Sequence, residues 1–91
     1  MNKRIKALFS GSVQGVGFRY TARGIAKRFV ITGYVKNLPN GQVELIAEGD
    51  DREVQNFITA VCRSELSGYI RQVDTDWQDS TGEFSIFDIS F

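Results

Sequence analysis

The spacing of the apolar residues changes abruptly at a glycine-rich stretch near the N-terminus, and this change limits the possible folds most strongly. From Ile5 to Val13 every second residue is apolar or glycine, and Lys6, Ser10 and Ser12 lie between them, which is the period of two of a half-buried β-strand. From Phe18 to Phe29 they recur at i, i+4, i+7, i+8 and i+11, the stripe of an amphipathic helix. The sequence therefore predicts a strand, a glycine turn over residues 11–17 and a helix.

The rest of the chain carries four more strand patterns and one more helix pattern. "ITGYVKN" and "QVELIAE" flank Asn40-Gly41, which tolerate the positive φ angles of a tight turn, so the two segments predict an antiparallel hairpin. Apolar residues at helical spacing from Val54 to Cys62 follow a capping pattern at Asp50 and Glu53. "GYIRQVDTDW" and "FSIFDISF" predict the last two strands, with the turn "QDSTGE" between them.

The order β-α-β-β-α-β with a short C-terminal strand is typical of the α+β, ferredoxin-like split βαβ fold. We expect a single domain over residues 1–91, with two helices on one face of an antiparallel sheet. We expect the other face to be half exposed, with Tyr34 and Ile46 covering part of it. Trp77 could lie there too, although the sequence does not fix which residues of the fourth strand face that side. A chain of this size gives no reason to expect more than a monomer.

Composition argues against several classes of function. Eleven basic residues balance eleven acidic ones, so no net positive charge attracts nucleic acid. The one cysteine, Cys62, excludes an internal disulfide and a thiolate zinc site, which fits a cytoplasmic location. Asp74, Asp76 and Asp79 follow one another on a strand and its turn, where carboxylates are usually solvated, so we expect no metal. No segment approaches the ~20 apolar residues that cross a bilayer, so no membrane partner is expected.

The glycine turn predicts an anion site. Glycine permits backbone conformations in which successive N–H groups point into one hollow, and the helix that follows adds its own free N–H groups and positive dipole end. Arg19 begins that helix and offers a fork of donors that matches two phosphate oxygens. The stretch is not a nucleotide loop, because Phe18 and Arg19 follow Gly17 where Lys and Ser or Thr would be needed. The dinucleotide fingerprint fails too, since Tyr20 occupies the third glycine position.

Two longer segments give the chain a recognisable pattern. "GSVQGVGFR" resembles the G-x-V-Q-G-V-x-F-R loop of the acylphosphatase family, and "GYVKNLPNGQVELIAEG" resembles its G-[WY]-V-x-N-x-x-[DN]-G-x-V-E segment. "FDISF" is similar to the family's F-x-I-x-[YF] ending. The resemblance implies hydrolysis of a small-molecule acyl phosphate to carboxylate and inorganic phosphate, without metal, cofactor or covalent intermediate. It also implies that Arg19 binds the phosphoryl group and that Asn37 positions the attacking water.

The chemistry that this resemblance implies suits the residues present. A carboxylate is a weakly basic leaving group, so the lack of histidine is no obstacle. The backbone N–H groups of Gln14, Gly15, Val16, Gly17 and Phe18 are expected to bind the phosphoryl oxygens. An amide such as that of Asn37 can hold a neutral water by one hydrogen bond but cannot act as a general base, so the proton is expected to pass to the substrate phosphate.

Other functions remain open at this level. The principal alternative is a non-catalytic ferredoxin-like module that binds an anion or a protein through its sheet. RNA binding is disfavoured because the aromatic signature of RNA-recognition motifs is absent. A further alternative is the acylphosphatase-like domain of hydrogenase maturation proteins, although no zinc-finger cysteines follow. The acyl group of the substrate also stays open among acetyl, carbamoyl and phosphoglyceroyl.

Overall fold

A computed structural model describes all residues 1–91 and contains the strands and helices that the two periodicities predict. The elements are β1 (Asn2–Gly11), α1 (Phe18–Ala26), β2 (Ile31–Asn37), β3 (Val43–Asp50), α2 (Asp51–Cys62), a 3-10 turn (Ser67–Tyr69), β4 (Ile70–Asp79) and β5 (Phe87–Ser90). Helix α1 ends three residues before Phe29, which still packs against the core.

The strands form one sheet in the order β4-β1-β3-β2-β5. Every neighbouring pair is antiparallel except β2 and β5, which run in parallel. The predicted ferredoxin-like α+β fold is confirmed, and the sheet is mixed rather than wholly antiparallel because β5 lies beside β2 at the edge. Strands β4 and β5 are thus the two opposite edges of the sheet.

Both helices lie on one face of the sheet, as predicted. They contact each other, and their buried residues join those of β1, β2 and β3 in a single apolar cluster. Phe9 and Phe57 are its largest fully buried side chains, and the Phe9 ring centroid lies 4.9 Å from that of Phe18 at the start of α1. The start of α1 is therefore fixed against β1, next to the glycine turn.

The opposite face, called here the open face, carries Arg4, Lys6, Glu44, Ile46, Glu48 and Tyr34. Trp77, whose face the sequence does not fix, is absent from this face. Trp77 pairs with Ile5 of the core in the β1–β4 register, so its side chain stands on the helix side, where it is 43% exposed. The sequence did not reveal this because β4 is an exposed edge strand and shows no apolar alternation.

No helix of the structure combines the length and the apolar character needed to span a membrane.

Candidate active site

The C-terminal ends of three strands lie at one end of the sheet, and the candidate site is there. Because β1 and β2 are both antiparallel to β3, and β5 is parallel to β2, strands β1, β2 and β5 run in one direction. Their C-terminal ends bring together the glycine turn after β1, Asn37 at the end of β2 and Phe91 after β5. Helix α1 begins at this end too, since it follows the glycine turn.

The glycine turn exposes backbone donors because two of its residues adopt positive φ angles. Gly15 has φ 79° and Gly17 has φ 78°. A Cβ at either residue would meet no atom within 4 Å, so the backbone conformation and not the available space requires glycine there. Both glycines are exposed, so solvent reaches the turn.

The N–H groups of residues 14–20 donate to no acceptor within the chain. The first intrahelical bond of α1 runs from the Thr21 N–H to the Gly17 carbonyl at 3.0 Å, and no side chain caps the helix. Unpaired donors at a helix N-terminus, where the helix dipole is positive, form a favourable environment for an anion. The structure therefore gives each of the predicted residues, Gln14 to Phe18, a free backbone donor.

Arg19 supplies a full positive charge beside these donors. It is the second residue of α1, is half-buried and takes part in none of the chain's ion pairs. Its guanidinium carbon lies 5.1 Å from the centroid of the Phe91 ring, which is 88% exposed. A cation over an aromatic face is held in orientation without being neutralised. The guanidinium thus keeps its charge for a ligand.

Asn37 is the last residue of β2, and its side-chain oxygen is unusual for this chain. Oδ1 is buried and has no hydrogen-bond partner. Buried acceptors are almost always paired in folded proteins, so this oxygen has an unused capacity to accept a hydrogen bond.

The side chain of Gln14 joins the glycine turn to the hairpin that carries Asn37. Its Nε2 donates to the Leu38 carbonyl at 2.8 Å and to the Gln42 carbonyl at 2.9 Å. Leu38 follows Asn37 directly, and its own N–H donates to the same Gln42 carbonyl at 2.9 Å. Gln14 therefore sets how the turn sits relative to the end of β2.

Sequence reasoning missed this contact, since it considered only the backbone of Gln14. A polar residue between a strand and a glycine carries no local signal that names a partner 24 positions away. The contact of Phe91 with Arg19 was missed for the same reason, because nothing near either residue indicates that β5 would lie beside β2.

A hollow that does not belong to the candidate site lies at the opposite end of β1. It has a volume of about 730 Å³ and is lined mainly by polar side chains of β4 and α2, together with Lys3 of β1 and the ring of Trp77. No group of three or more histidine, cysteine, aspartate or glutamate side chains converges anywhere in the chain. Asp74 and Asp76 lie on the open face, whereas Asp79 pairs with Lys3 on the helix side.

Comparison with known proteins gives a consistent result. The family model described as Acylphosphatase matches residues 5–89. A curated acylphosphatase of Acaryochloris marina is 41% identical over 85 residues, covering 93% of this chain and 90% of the relative. One of Methanospirillum hungatei is 41% identical over 88 residues, covering 96% of both chains.

Solved structures agree. A crystal structure of acylphosphatase from Bacillus subtilis has a TM-score of 0.89 and 30% identity, covering 98% of this chain and 99% of that one. Full-length HypF in a phosphate- and nucleotide-bound form has a TM-score of 0.88 and 25% identity, but this chain covers only 12% of it.

Proposed function

This chain belongs to the acylphosphatase family and is an acyl phosphate phosphohydrolase, and from that premise we propose which of its groups carry the reaction. Arg19 and the backbone N–H groups of residues 14–18 hold the phosphoryl group, and Asn37 positions the attacking water. One observation supports the proposal: unpaired donors, a guanidinium outside every ion pair and the unpaired Oδ1 of Asn37 all belong to segments at the same end of the sheet.

The phosphoryl group of an acyl phosphate presents negatively charged oxygens that need several donors at once. The N–H groups of residues 14–18 approach it from the turn, and the dipole of α1 adds to their effect. The Arg19 guanidinium binds two of its oxygens as a fork and neutralises charge as the transition state forms. These groups are fixed before the substrate arrives, so little reorganisation is required.

Asn37 positions the attacking water. Its Oδ1 accepts one hydrogen bond from a water molecule, which leaves a lone pair of that water free to attack phosphorus. As the new P–O bond forms, the bond from phosphorus to the acyl oxygen breaks, and its electron pair leaves with the carboxylate. The proton that the water loses passes to an oxygen of the substrate phosphate. The products are a carboxylate and inorganic phosphate.

This reaction needs neither a strong acid nor a metal ion, because a carboxylate leaves without prior protonation and Arg19 already offsets the phosphoryl charge. The chain has no histidine, and the proposal assigns no step to one. All the proposed contacts reach the phosphate end of the substrate, so they are common to acetyl, carbamoyl and phosphoglyceroyl phosphates.

We also propose that the protein works as a monomer in a reducing cytoplasm and binds no nucleic acid or membrane. Its one thiol, Cys62, is half-buried near the end of α2, and burial raises the pKa of that thiol. A thiol of that kind is neither reactive nor paired. Light scattering on the purified protein tests the oligomeric state, with a mass of about 20 kDa as the result that would contradict a monomer of 10.2 kDa.

The decisive experiment compares two substrates in excess EDTA. We expect the purified chain to hydrolyse benzoyl phosphate and to leave p-nitrophenyl phosphate, an ordinary monoester, intact. EDTA should not change the rate on benzoyl phosphate. Hydrolysis that EDTA abolishes would contradict the metal-free route. If neither compound is hydrolysed, a non-catalytic anion-binding module becomes the better description.

A further inference from the structure

The connection between β4 and β5, residues 80–86, crosses the whole open face of the sheet. Strands β4 and β5, which it joins, are opposite edges of the sheet, so the connection must pass β1, β3 and β2 to reach β5. It contacts Arg4 of β1, Glu48 of β3 and Tyr34 of β2, which all lie on the open face. These contacts are not part of the proposed chemistry, yet they decide where β5 lies.

Glu48 is the main anchor of this connection. It is the only buried charged residue, at 4% exposure. Its carboxylate accepts hydrogen bonds from the Ser80 hydroxyl at 3.1 Å, the Thr81 hydroxyl at 2.7 Å, the Thr81 N–H at 3.1 Å and the Gly82 N–H at 2.9 Å. Arg4 Nη1 donates to it at 3.0 Å from the neighbouring strand. A buried carboxylate with this many donors holds the segment that supplies them.

A second contact lies further along the connection. The Phe84 ring stands between Arg4, whose guanidinium carbon is 5.5 Å from its centroid, and the Tyr34 ring, whose centroid is 5.8 Å away. Arg4 also pairs with Glu83. The connection is therefore held at successive residues as it crosses from β1 to β2.

The connection leads directly into the last strand, β5. The Gly33 N–H of β2 donates to the Ile86 carbonyl at 3.0 Å, and β5 then pairs with β2 until Lys36 meets Ser90. The next residue is Phe91, which stacks on Arg19. Strand β5 has only four residues and one neighbour, so its own ladder is short. Strand β5 is also held directly, since Phe87 and Ile89 pack against the core and Asp88 pairs with Arg23 at 3.2 Å. The anchored connection adds to these contacts and sets where β5 begins.

We propose that Glu48, although on the opposite face from the phosphate site, is a positioning residue for it: by anchoring residues 80–86 it keeps β5 and Phe91 in place and so orients Arg19. This inference rests on the proposed role of Arg19 in holding the phosphoryl group. The route is continuous, from the Glu48 carboxylate through Thr81 and Gly82 to β5 and Phe91.

The test uses two variants that leave the proposed catalytic groups untouched. Glu48→Gln keeps the shape of the side chain but loses its charge and half of its acceptor capacity. Thr81→Ala removes the shortest of the anchoring bonds from an exposed residue, so it should fold even if the buried change does not. The matched control is Glu53→Gln, because Glu53 also accepts a backbone N–H, that of Val30 at 2.8 Å, but forms no hydrogen bond or ion pair with the 80–86 connection.

The primary readout is NMR and does not depend on activity. In both variants we expect faster amide exchange at Gly33 and in β5, while the β1–β3 ladder keeps its protection. The chemical shift of Arg19 Hε should move toward its value in the Phe91→Ala variant, because a displaced Phe91 ring no longer exerts its ring current on Arg19. The control should show neither change. Unchanged exchange in β5 and an unmoved Arg19 resonance in folded variants would overturn the proposal.

The functional readout separates positioning from general destabilisation. We expect inorganic phosphate to bind about two- to fivefold more weakly in both variants, the range that loss of an exposed cation–π contact corresponds to. KM for benzoyl phosphate should rise by the same factor with little change in kcat. Glu48→Gln combined with Phe91→Ala should lose no more than Phe91→Ala alone, and fully additive losses would contradict the route through Phe91.

Failure of the proposed function would look different. In that case wild-type protein would not hydrolyse benzoyl phosphate and Arg19→Ala would not weaken phosphate binding, whereas the exchange rates and the Arg19 resonance would still respond to Glu48→Gln. A result in which only the activity measurements respond would instead place Glu48 in the chemistry and refute positioning through β5.

Discussion

Arg19 and Asn37 offer different things to the phosphoryl group, and at the scale of single residues this difference predicts different losses. Arg19 contributes charge and two donors, which act on both the bound substrate and the transition state. Asn37 contributes one acceptor that touches only the water in the proposed reaction. Replacement of the first should therefore weaken binding and rate together, and replacement of the second should slow the reaction.

For Arg19→Ala we expect kcat/KM for benzoyl phosphate to fall by about 10³-fold or more, because binding and charge stabilisation are both lost. Arg19→Lys should recover only a small part of this loss, since an ammonium cannot bind two oxygens as a planar fork. Arg28→Ala is the matched control, because Arg28 is exposed beyond the other end of α1. Steady-state kinetics on the three variants decide the point, and full activity in Arg19→Lys would contradict the fork.

For Asn37→Ala we expect kcat to fall by about 10²-fold or more with KM nearly unchanged, which corresponds to roughly 3 to 4 kcal/mol of transition-state stabilisation. The fold should persist, since Oδ1 has no partner within the chain to lose. Asn56→Ala on the exposed surface of α2 is the control. A folded Asn37→Ala protein with normal turnover would refute the role given to this residue.

At the scale of elements, the geometry of the site depends on how the glycine turn and the β2–β3 hairpin are joined. Gln14 makes two hydrogen bonds to hairpin carbonyls, and Gln42 of the hairpin donates from its side chain to Ser10 of β1 at 3.0 Å. These bonds lie across the gap between two elements that are remote in sequence. They fix the distance from the proposed phosphate site at residues 14–18 to Asn37.

Gln14→Ala should therefore misplace the water without removing a catalytic group. We expect kcat/KM to fall about tenfold, because small displacements of reacting groups carry large penalties in rate. Unfolding in urea should show a loss of only about 1 kcal/mol, since both carbonyls keep a backbone partner: Gly41 N–H donates to that of Leu38, and Leu38 N–H to that of Gln42. Gln55→Ala on α2 is the control. Equal losses in both variants would contradict a specific role for Gln14.

The elements differ in how far the sequence could predict them. Strand β1, both helices and the hairpin follow from local periodicity and turn residues, and Arg19 with its glycines follows from the same short stretch. Strand β4 begins two residues later than predicted, because Gly68 and Tyr69 belong to a 3-10 turn. The parallel pairing of β5 is accompanied by contacts of the 80–86 connection, and of β5 itself, with residues 30 or more positions away, which no local pattern encodes.

At the scale of the whole molecule, the hydrogen bonds from residues 80–86 to Glu48 make the free energy of unfolding depend on pH. Burial by itself raises the pKa of Glu48, but the hydrogen bonds from Thr81, Gly82 and Arg4 outweigh burial and lower the pKa from 4.5 to about 2. Two charged groups flank the carboxylate, namely Arg4 on β1 and, beyond it, Glu83 in the connection. Arg4 keeps its charge throughout this range, and its pairing with Glu83 raises its pKa further.

Because the pKa of Glu48 is lower in the folded state, the unfolded chain takes up the proton first as the pH falls. The stability due to this group is therefore complete above pH 4.5 and is lost as the pH falls toward about 2. The loss should reach at most roughly 3 kcal/mol. Urea unfolding followed by circular dichroism over this range measures it. Glu48→Gln should flatten the curve, whereas the lowered pKa values of Asp50 and Asp88 persist in both proteins, and equal slopes would contradict the assignment.

The unpaired donors of residues 14–18 have a thermodynamic consequence for the entire chain. Their arrangement exists only when α1 is docked and the turn is formed, so an anion that needs all of them has nothing comparable to grip in the unfolded ensemble. By mass action, inorganic phosphate at 100 times its dissociation constant should add about 2.7 kcal/mol to stability and raise the melting temperature. A calorimetric scan with and without phosphate would detect this, and Arg19→Ala should melt at one temperature in both buffers. Inorganic phosphate, the product of the reaction, would then stabilise the folded enzyme that released it.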